Sequence, residues 1–179
     1  MALYRTPAAA PLSPVSFQAL GRSDMRDNWT VRRAVESDRE FLFRLYALTM
    51  RSVVEQTWGW DEEWQRTDFA KRFLSAPFYI IESSSQPIGA LCLEQRPDCL
   101  YIRELQLLPE RQGHGVGTAI IQMVIAEARE QRLPVNLSLV SANDRAQRLY
   151  ERLGFRVAAV EPPFIRMVHG SAGMRERPN

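Results

Sequence analysis

Seven residues, Gln112-Gly113-His114-Gly115-Val116-Gly117-Thr118, stand between the end of a predicted strand and the start of a predicted helix. A helix N-terminus leaves about four amide N–H groups without intrahelical acceptors and carries roughly half a positive charge from its peptide dipoles. Three glycines there remove the side chains that would hold an anion away. The chemistry this spacing offers is the cradling of a phosphate or pyrophosphate. Two well-known owners of such loops are excluded by the residues themselves. A P-loop needs Lys-Ser/Thr after its last glycine, whereas Gly117 is followed by Thr118 and Ala119 with no lysine nearby. A dinucleotide fingerprint needs a glycine three residues after Gly115, where Thr118 stands. Metal chemistry is poorly provided for. Cys92 and Cys99 lack the CxxC spacing, His114 and His169 are the only histidines, and no metal site is expected.

The elements that must position this loop follow from periodicity and breakers. Residues 29–34 alternate as a short strand. Ser37-Asp38-Arg39-Glu40 reads as a capping box for a helix running to about residue 55, with Phe41, Leu42, Leu45, Leu48 and Thr49 at helical spacing. Trp58-Gly59-Trp60-Asp61 breaks it, and residues 62–74 form a second amphipathic helix with Trp64, Phe69 and Phe73 inward. Strands over 78–82 and 88–94 are joined by the turn Ser83-Ser84-Ser85-Gln86-Pro87. In the next strand, 100–108, the apolar period slips: Ile102 and Leu105 are three apart, Leu105 and Leu107 two. One extra residue near Arg103-Glu104 must be absorbed, which predicts a β-bulge. A helix over 116–131, a strand over 135–140, a helix over 142–153 and strands over 155–160 and 164–168 complete the order β-α-α-β-β-β-α-β-α-β-β.

At 179 residues, 45% hydrophobic and 25% charged, the chain has the composition of one globular domain. That domain is expected over residues 29–169, after a Pro/Ala-rich flexible extension (1–28) and before a short tail (170–179). No apolar run reaches the ~18–20 residues of a membrane span. A net charge of +2, with Lys71 the single lysine, gives no electrostatic footprint for nucleic acid. Two cysteines seven apart read as free thiols, which predicts a cytoplasmic protein without disulfides.

Gln112, Gly115 and Gly117 have the spacing Gln-x-x-Gly-x-Gly and follow Leu105-Gln106-Leu107-Leu108-Pro109. This stretch resembles motif A of the GNAT-type N-acetyltransferase superfamily. About 26 residues beyond Gly117, Asn143-Asp144-Arg145-Ala146 through Leu149-Tyr150-Glu151-Arg152-Leu153-Gly154-Phe155 resembles motif B. Thr57-Trp58-Gly59-Trp60-Asp61 is similar to segments of uncharacterised bacterial members. The resemblance implies an α/β (α+β) fold: a mixed, largely antiparallel sheet of six to seven strands, splayed at the fourth and fifth, with four flanking helices. It implies acetyl-CoA as co-substrate, an amine acceptor, no metal and, as is common in the family, a homodimer. By the same resemblance the backbone of Leu105, Gln106 and Leu107 pairs with the pantetheine arm. Amides of Gln112, Gly113, His114, Gly115, Val116, Gly117 and Thr118 hold the pyrophosphate, Asn143 contacts the cofactor, and Tyr150 protonates the departing thiolate. Tyr150 also reads as plain core, and His114 as a solvent-facing spacer.

An amine must be neutral to attack, so a group must take its proton. Glu104, at the predicted bulge on the strand that holds the thioester, is the candidate base; the competing reading pairs it with Arg103 or Arg96. The fifth strand, where some members carry an acid, has Ser138. For the acceptor, Trp58 and Trp60 with Glu55 and Asp61 are candidates for an aromatic, acidic mouth, or else the tryptophans cap the core. Cys92 and Cys99 read as structural. The activity implied is N-acyl transfer in a ternary complex; the alternative is a non-catalytic acyl-CoA-binding or regulatory module.

Overall fold

The structure, a computed structural model, describes residues 29–170, so the expected extension (1–28) and all of the expected tail but Gly170 lie outside the described residues. Its strands are β1 (Trp29–Arg33), β2 (Phe78–Ser83), β3 (Gln86–Gln95), β4 (Leu100–Leu107), β5 (Val135–Val140), β6 (Arg156–Glu161) and β7 (Phe164–His169). The helices are α1 (Arg39–Trp58), α2 (Glu62–Ser75), α3 (Val116–Glu130) and α4 (Asp144–Arg152). All seven strands form one sheet in the order β1-β2-β3-β4-β5-β7-β6, antiparallel except for β4 and β5. This is the mixed, largely antiparallel architecture expected from the element order.

Period-2 alternation along the central strands feeds two cores. Tyr79, Ile81, Leu91 and Leu93 face α3, burying Ile120, Ile121 and Val124 with them. Phe78, Ile80, Ala90 and Cys92 face α1 and α2, against Leu42, Leu45 and Phe69. On α1 the inward face is Leu42, Phe43, Leu45, Tyr46 and Val54, while Leu48, expected inside, is 59% exposed.

The expected capping box does not form. Ser37 lies in a 3-10 turn (Glu36–Asp38), Asp38 takes the N-cap of α1, and Glu40 pairs instead with Arg66 of α2 at 3.2 Å. Asp38 holds that position without capping through its side chain, which is engaged elsewhere. Its carboxylate accepts the Val35 N–H and both terminal nitrogens of Arg32, at 2.7–2.8 Å. The Arg32 hydrogen bond holds the Asp38 carboxyl below the usual range.

The bulge is where the slipped period put it. Cys92 faces Glu104 while Leu93 faces Ile102, so Arg103 is the extra residue on β4. The strand is also pressed hard against β3. A Cβ at Gly89 would lie 2.5 Å from the Gln106 carbonyl oxygen and 2.5 Å from Leu107 Cδ2. Gly89→Ala is therefore expected to cost about 1–3 kcal/mol by overpacking, read as a lowered thermal midpoint. An unchanged midpoint would mean the two strands part freely.

Candidate active site

β4 and β5 pair over three residues only, Leu100 with Val135, Tyr101 with Asn136 and Ile102 with Leu137. Beyond Ile102 the bulge turns β4 away and the strands separate, while β5 stays paired with β7 through Val140. The gap is a cleft that passes between the two leaves of the sheet. Glu104, Leu105 and Gln106 of β4 form one side, and Ser138, Leu139 and Val140 of β5 the other. Asn143, Ala146 and Tyr150 of α4 close one end. The opposite end is walled by Tyr46, Met50, Val54 and Trp58 of α1 and by Trp64, Gln65, Asp68 and Arg72 of α2.

Antiparallel pairs alternate between those that exchange hydrogen bonds and those that do not. Leu108 N–H donates to the Ile88 carbonyl (2.9 Å), so Gln106 and Glu104 bond β3 with their backbones. Leu105 and Leu107 then point their N–H and C=O groups into the open side. Of the three residues named for an added strand, Gln106 thus has its backbone committed to β3, a parity that sequence spacing alone leaves open.

The glycine loop does not join β4 to α3 directly; a 3-10 turn, Pro109–Arg111, comes first. Gln112 then ties the loop back, its Nε2 donating to the Leu107 carbonyl at 2.9 Å. Gly113 and Gly115 have φ of 81° and 89°, a region side chains disfavour, and nothing lies within 4 Å of where their Cβ atoms would be. Ala119 N–H is the first to close an α-helical bond, to Gly115. The amides of residues 113–118 have no backbone acceptor among the described residues. Val116 buries its side chain in the core and anchors the helix start, whereas His114 is exposed. The loop sits beside the end of β4, outside the cleft wall itself.

Asn143 is the N-cap of α4; its Oδ1 accepts the Ala146 N–H at 3.2 Å, leaving its NH₂ group available at the cleft. Tyr150 is 8% exposed, and its ring meets Phe155 edge-on at 5.2 Å. Its hydroxyl has no hydrogen-bond partner among the described residues. Burial pushes the phenol well above its ordinary value, so it keeps its proton across the whole neutral range.

Glu104 reaches the cleft but pairs with neither Arg103 nor Arg96. Both of those arginines bind Glu94 on β3, where they outweigh the cost of burial and hold its carboxyl below the usual range. The bulge separates Arg103 from Glu104, and Glu104 pairs with Arg72 of α2. Arg72 also donates from Nε to Asp68 Oδ2 at 2.9 Å, and Gln106 Nε2 approaches Glu104 Oε2 at 3.4 Å. Sequence reading missed Arg72 and its neighbours. Gln65, Asp68 and Arg72 recur at helical spacing, and Gln65 and Arg72 are only 3% and 9% exposed. A polar stripe on the inward face of an amphipathic helix was the available signal.

Of the four acceptor candidates, the structure brings only Trp58 to the cleft, where its ring meets that of Phe164 at a 36° tilt, centroids 5.7 Å apart. Trp60 packs on Tyr46, with Arg51 over its ring, and donates Nε1–H to Glu62 at 2.9 Å. Asp61 caps α2 by accepting the Trp64 N–H, and Glu55 is exposed away from the cleft. Trp64, expected in the core, is the second tryptophan of this wall, at 37% exposure. Cys92 and Cys99 are free and buried; burial pushes the Cys99 thiol up to about 11 and raises that of Cys92 too. Neither is a thiolate near neutral pH.

The sheet is thus split between parallel β4 and β5, with a glycine-rich helix start at the end of β4. Residues 39–155 match the model of the acetyltransferase (GNAT) family, and the chain belongs to that family. It is 26% identical over 151 residues to an uncharacterised N-acetyltransferase of Methanocaldococcus jannaschii, covering 78% of this chain and 66% of that one. It is 30% identical over 108 residues to N-alpha-acetyltransferase 40 of Saccharomyces cerevisiae, covering 54% of this chain and 38% of that one. The chain therefore spans less than two thirds of the length of either relative. Its fold is that of the PaiA N-acetyltransferase of Thermoplasma acidophilum, solved in complex with coenzyme A. The TM-score is 0.64 at 16% identity, over 78% of this chain and 97% of that one.

Proposed function

We propose that the protein is an N-acyltransferase that moves an acetyl group from acetyl-CoA to a primary amine by direct attack in a ternary complex. The observation that carries this reading is the parting of β4 from β5, which sets Glu104 and Tyr150 on one cleft. The free amides of residues 113–118 suit the pyrophosphate of the co-substrate, and the outward N–H and C=O of Leu105 with the N–H of Leu107 suit its amide-bearing arm, the Leu107 carbonyl being taken by Gln112. The NH₂ group of Asn143 is a further donor at the same end.

The acceptor enters between α1 and α2, where Met50, Val54, Trp58 and Trp64 offer an apolar, aromatic wall. Asp68 and Glu104 are the carboxylates an incoming ammonium ion meets there, with Arg72 and Arg103 on the same lining. Glu104 takes one proton from that ammonium. The freed amine nitrogen bonds to the acyl carbon as the carbon–sulfur bond breaks, with an N–H of β4 donating to the carbonyl oxygen. Tyr150 gives its proton to the departing sulfur and takes one back from solvent, while the nitrogen's second proton and the one held by Glu104 leave to solvent. The free, buried thiols of Cys92 and Cys99 support a reducing, cytoplasmic setting. Among the described residues no helix is long and apolar enough to cross a membrane.

Calorimetric titration with acetyl-CoA and free CoA, with NADH and ATP as controls, tests the cradle. Micromolar binding of the CoA compounds alone is expected, followed by CoA release in a panel of amines. Binding without turnover on any amine would support the non-catalytic module, and no binding by folded protein would remove the transferase reading.

A further inference from the structure

Resting on the assignment of Glu104 as base, we infer that Arg72 is its positioning residue, fixing which carboxylate oxygen faces the incoming amine. Arg72 stems from α2, 32 residues before Glu104, and reaches across the acceptor end of the cleft. Its guanidinium is held from several directions at once. Nη1 donates to Glu104 Oε1, Nε donates to Asp68 Oδ2 one helical turn earlier, and the plane lies 4.7 Å from the Tyr46 ring and 5.2 Å from the Phe69 ring. A planar fork clamped between two carboxylates and two aromatic faces has little freedom left. Glu104 inherits that rigidity. Its Oε1 is occupied by Arg72, whereas among the described residues Oε2 has only the long contact from Gln106 Nε2 at 3.4 Å. Oε2 is thus the oxygen left to accept a proton from the acceptor.

The position is costly for a purely structural arginine. A buried guanidinium must recover its hydration by paired charge, and here the pairing is spent on a carboxylate of the reaction cleft rather than on the core. Asp68, half-exposed, completes the set: it orients Arg72 without itself touching Glu104.

A double-mutant cycle separates this role from a structural one. Arg72→Gln is expected to lower kcat by about tenfold to a hundredfold with acetyl-CoA affinity unchanged. In a Glu104→Gln background the same change is expected to add less than about twofold, because residues that act as a unit are not additive. Asp68→Asn, which keeps shape and leaves Arg72 in place, is expected to give a smaller loss with the same dependence on Glu104. It carries the test if Arg72→Gln does not fold. Equal fold-losses in both backgrounds, for either variant, overturn the role of Arg72 while leaving Glu104 as base. If Glu104→Gln itself leaves kcat unchanged, the base assignment falls and the role of Arg72 falls with it.

Discussion

Glu104→Gln is expected to lower kcat by about 10²–10⁴-fold, the range general-base catalysis supplies, while acetyl-CoA binds as before. The substitution preserves volume, and the new carbonyl oxygen can still accept from Arg72, so the α2–β4 contact survives. What is lost is the capacity to take up a proton. Because the amine arrives protonated, the loss falls on turnover rather than on the proposed cofactor site, whose amides lie in the loop beyond β4. CoA release under saturating acetyl-CoA measures the first, and calorimetry the second. An unchanged kcat would assign the proton to water in the cleft.

Tyr150→Phe is expected to lower kcat by about 10²-fold or less, again with little change in acetyl-CoA affinity. The ring keeps its edge contact with Phe155, so the packing of α4 on that residue is retained. The buried phenol is a weaker acid than a free tyrosine, but the sulfur it serves leaves into the same apolar surroundings, which raise a thiol as well. Proton transfer between them therefore stays accessible. The sign of the pH effect follows. With the phenol held above its ordinary value near 10, wild-type kcat should show no loss from Tyr150 ionisation between pH 7 and about pH 10. The stability this group contributes is full below its unfolded value and lost as pH rises beyond it, an alkaline decline that Tyr150→Phe should lack. A wild-type rate that the phenylalanine variant reproduces would leave Tyr150 a core residue.

How much of this could be read from the chain depends on the range of each interaction. Gly113, Gly115 and Gly117 lie close together at a helix start, so an anion cradle could be expected there from local sequence. The bulge at Arg103 was visible as a slip between Ile102 and Leu105 within a single strand. The partner of Glu104 was not visible, because Arg72 meets it across 32 residues and two elements. Arg103 and Arg96 were nearer in sequence, but Glu94 binds both. The tryptophans illustrate the same limit. Trp58, Trp60 and Trp64 lie within seven residues, and only the rotation of α1 and α2 about their axes decides which face the cleft. Ser37 failed as a cap because a 3-10 turn moves the start of α1 on to Asp38, whose carboxylate is held by Arg32, from a different element. Local patterns fix elements; choices between adjacent polar side chains are made by whatever packs opposite.

The three paired residues joining β4 to β5 also divide the molecule mechanically. Among the described residues they are the whole ladder between a four-stranded leaf and a three-stranded one, like the binding of a book. A ligand lying in the gap adds a second clasp between the leaves. Saturation at about a hundred times the dissociation constant adds roughly 2.7 kcal/mol to the folded state. Amides near Leu100 to Ile102 and their partners on β5 are where that gain should slow hydrogen exchange most, so the spine of the book, rather than its covers, reports occupancy.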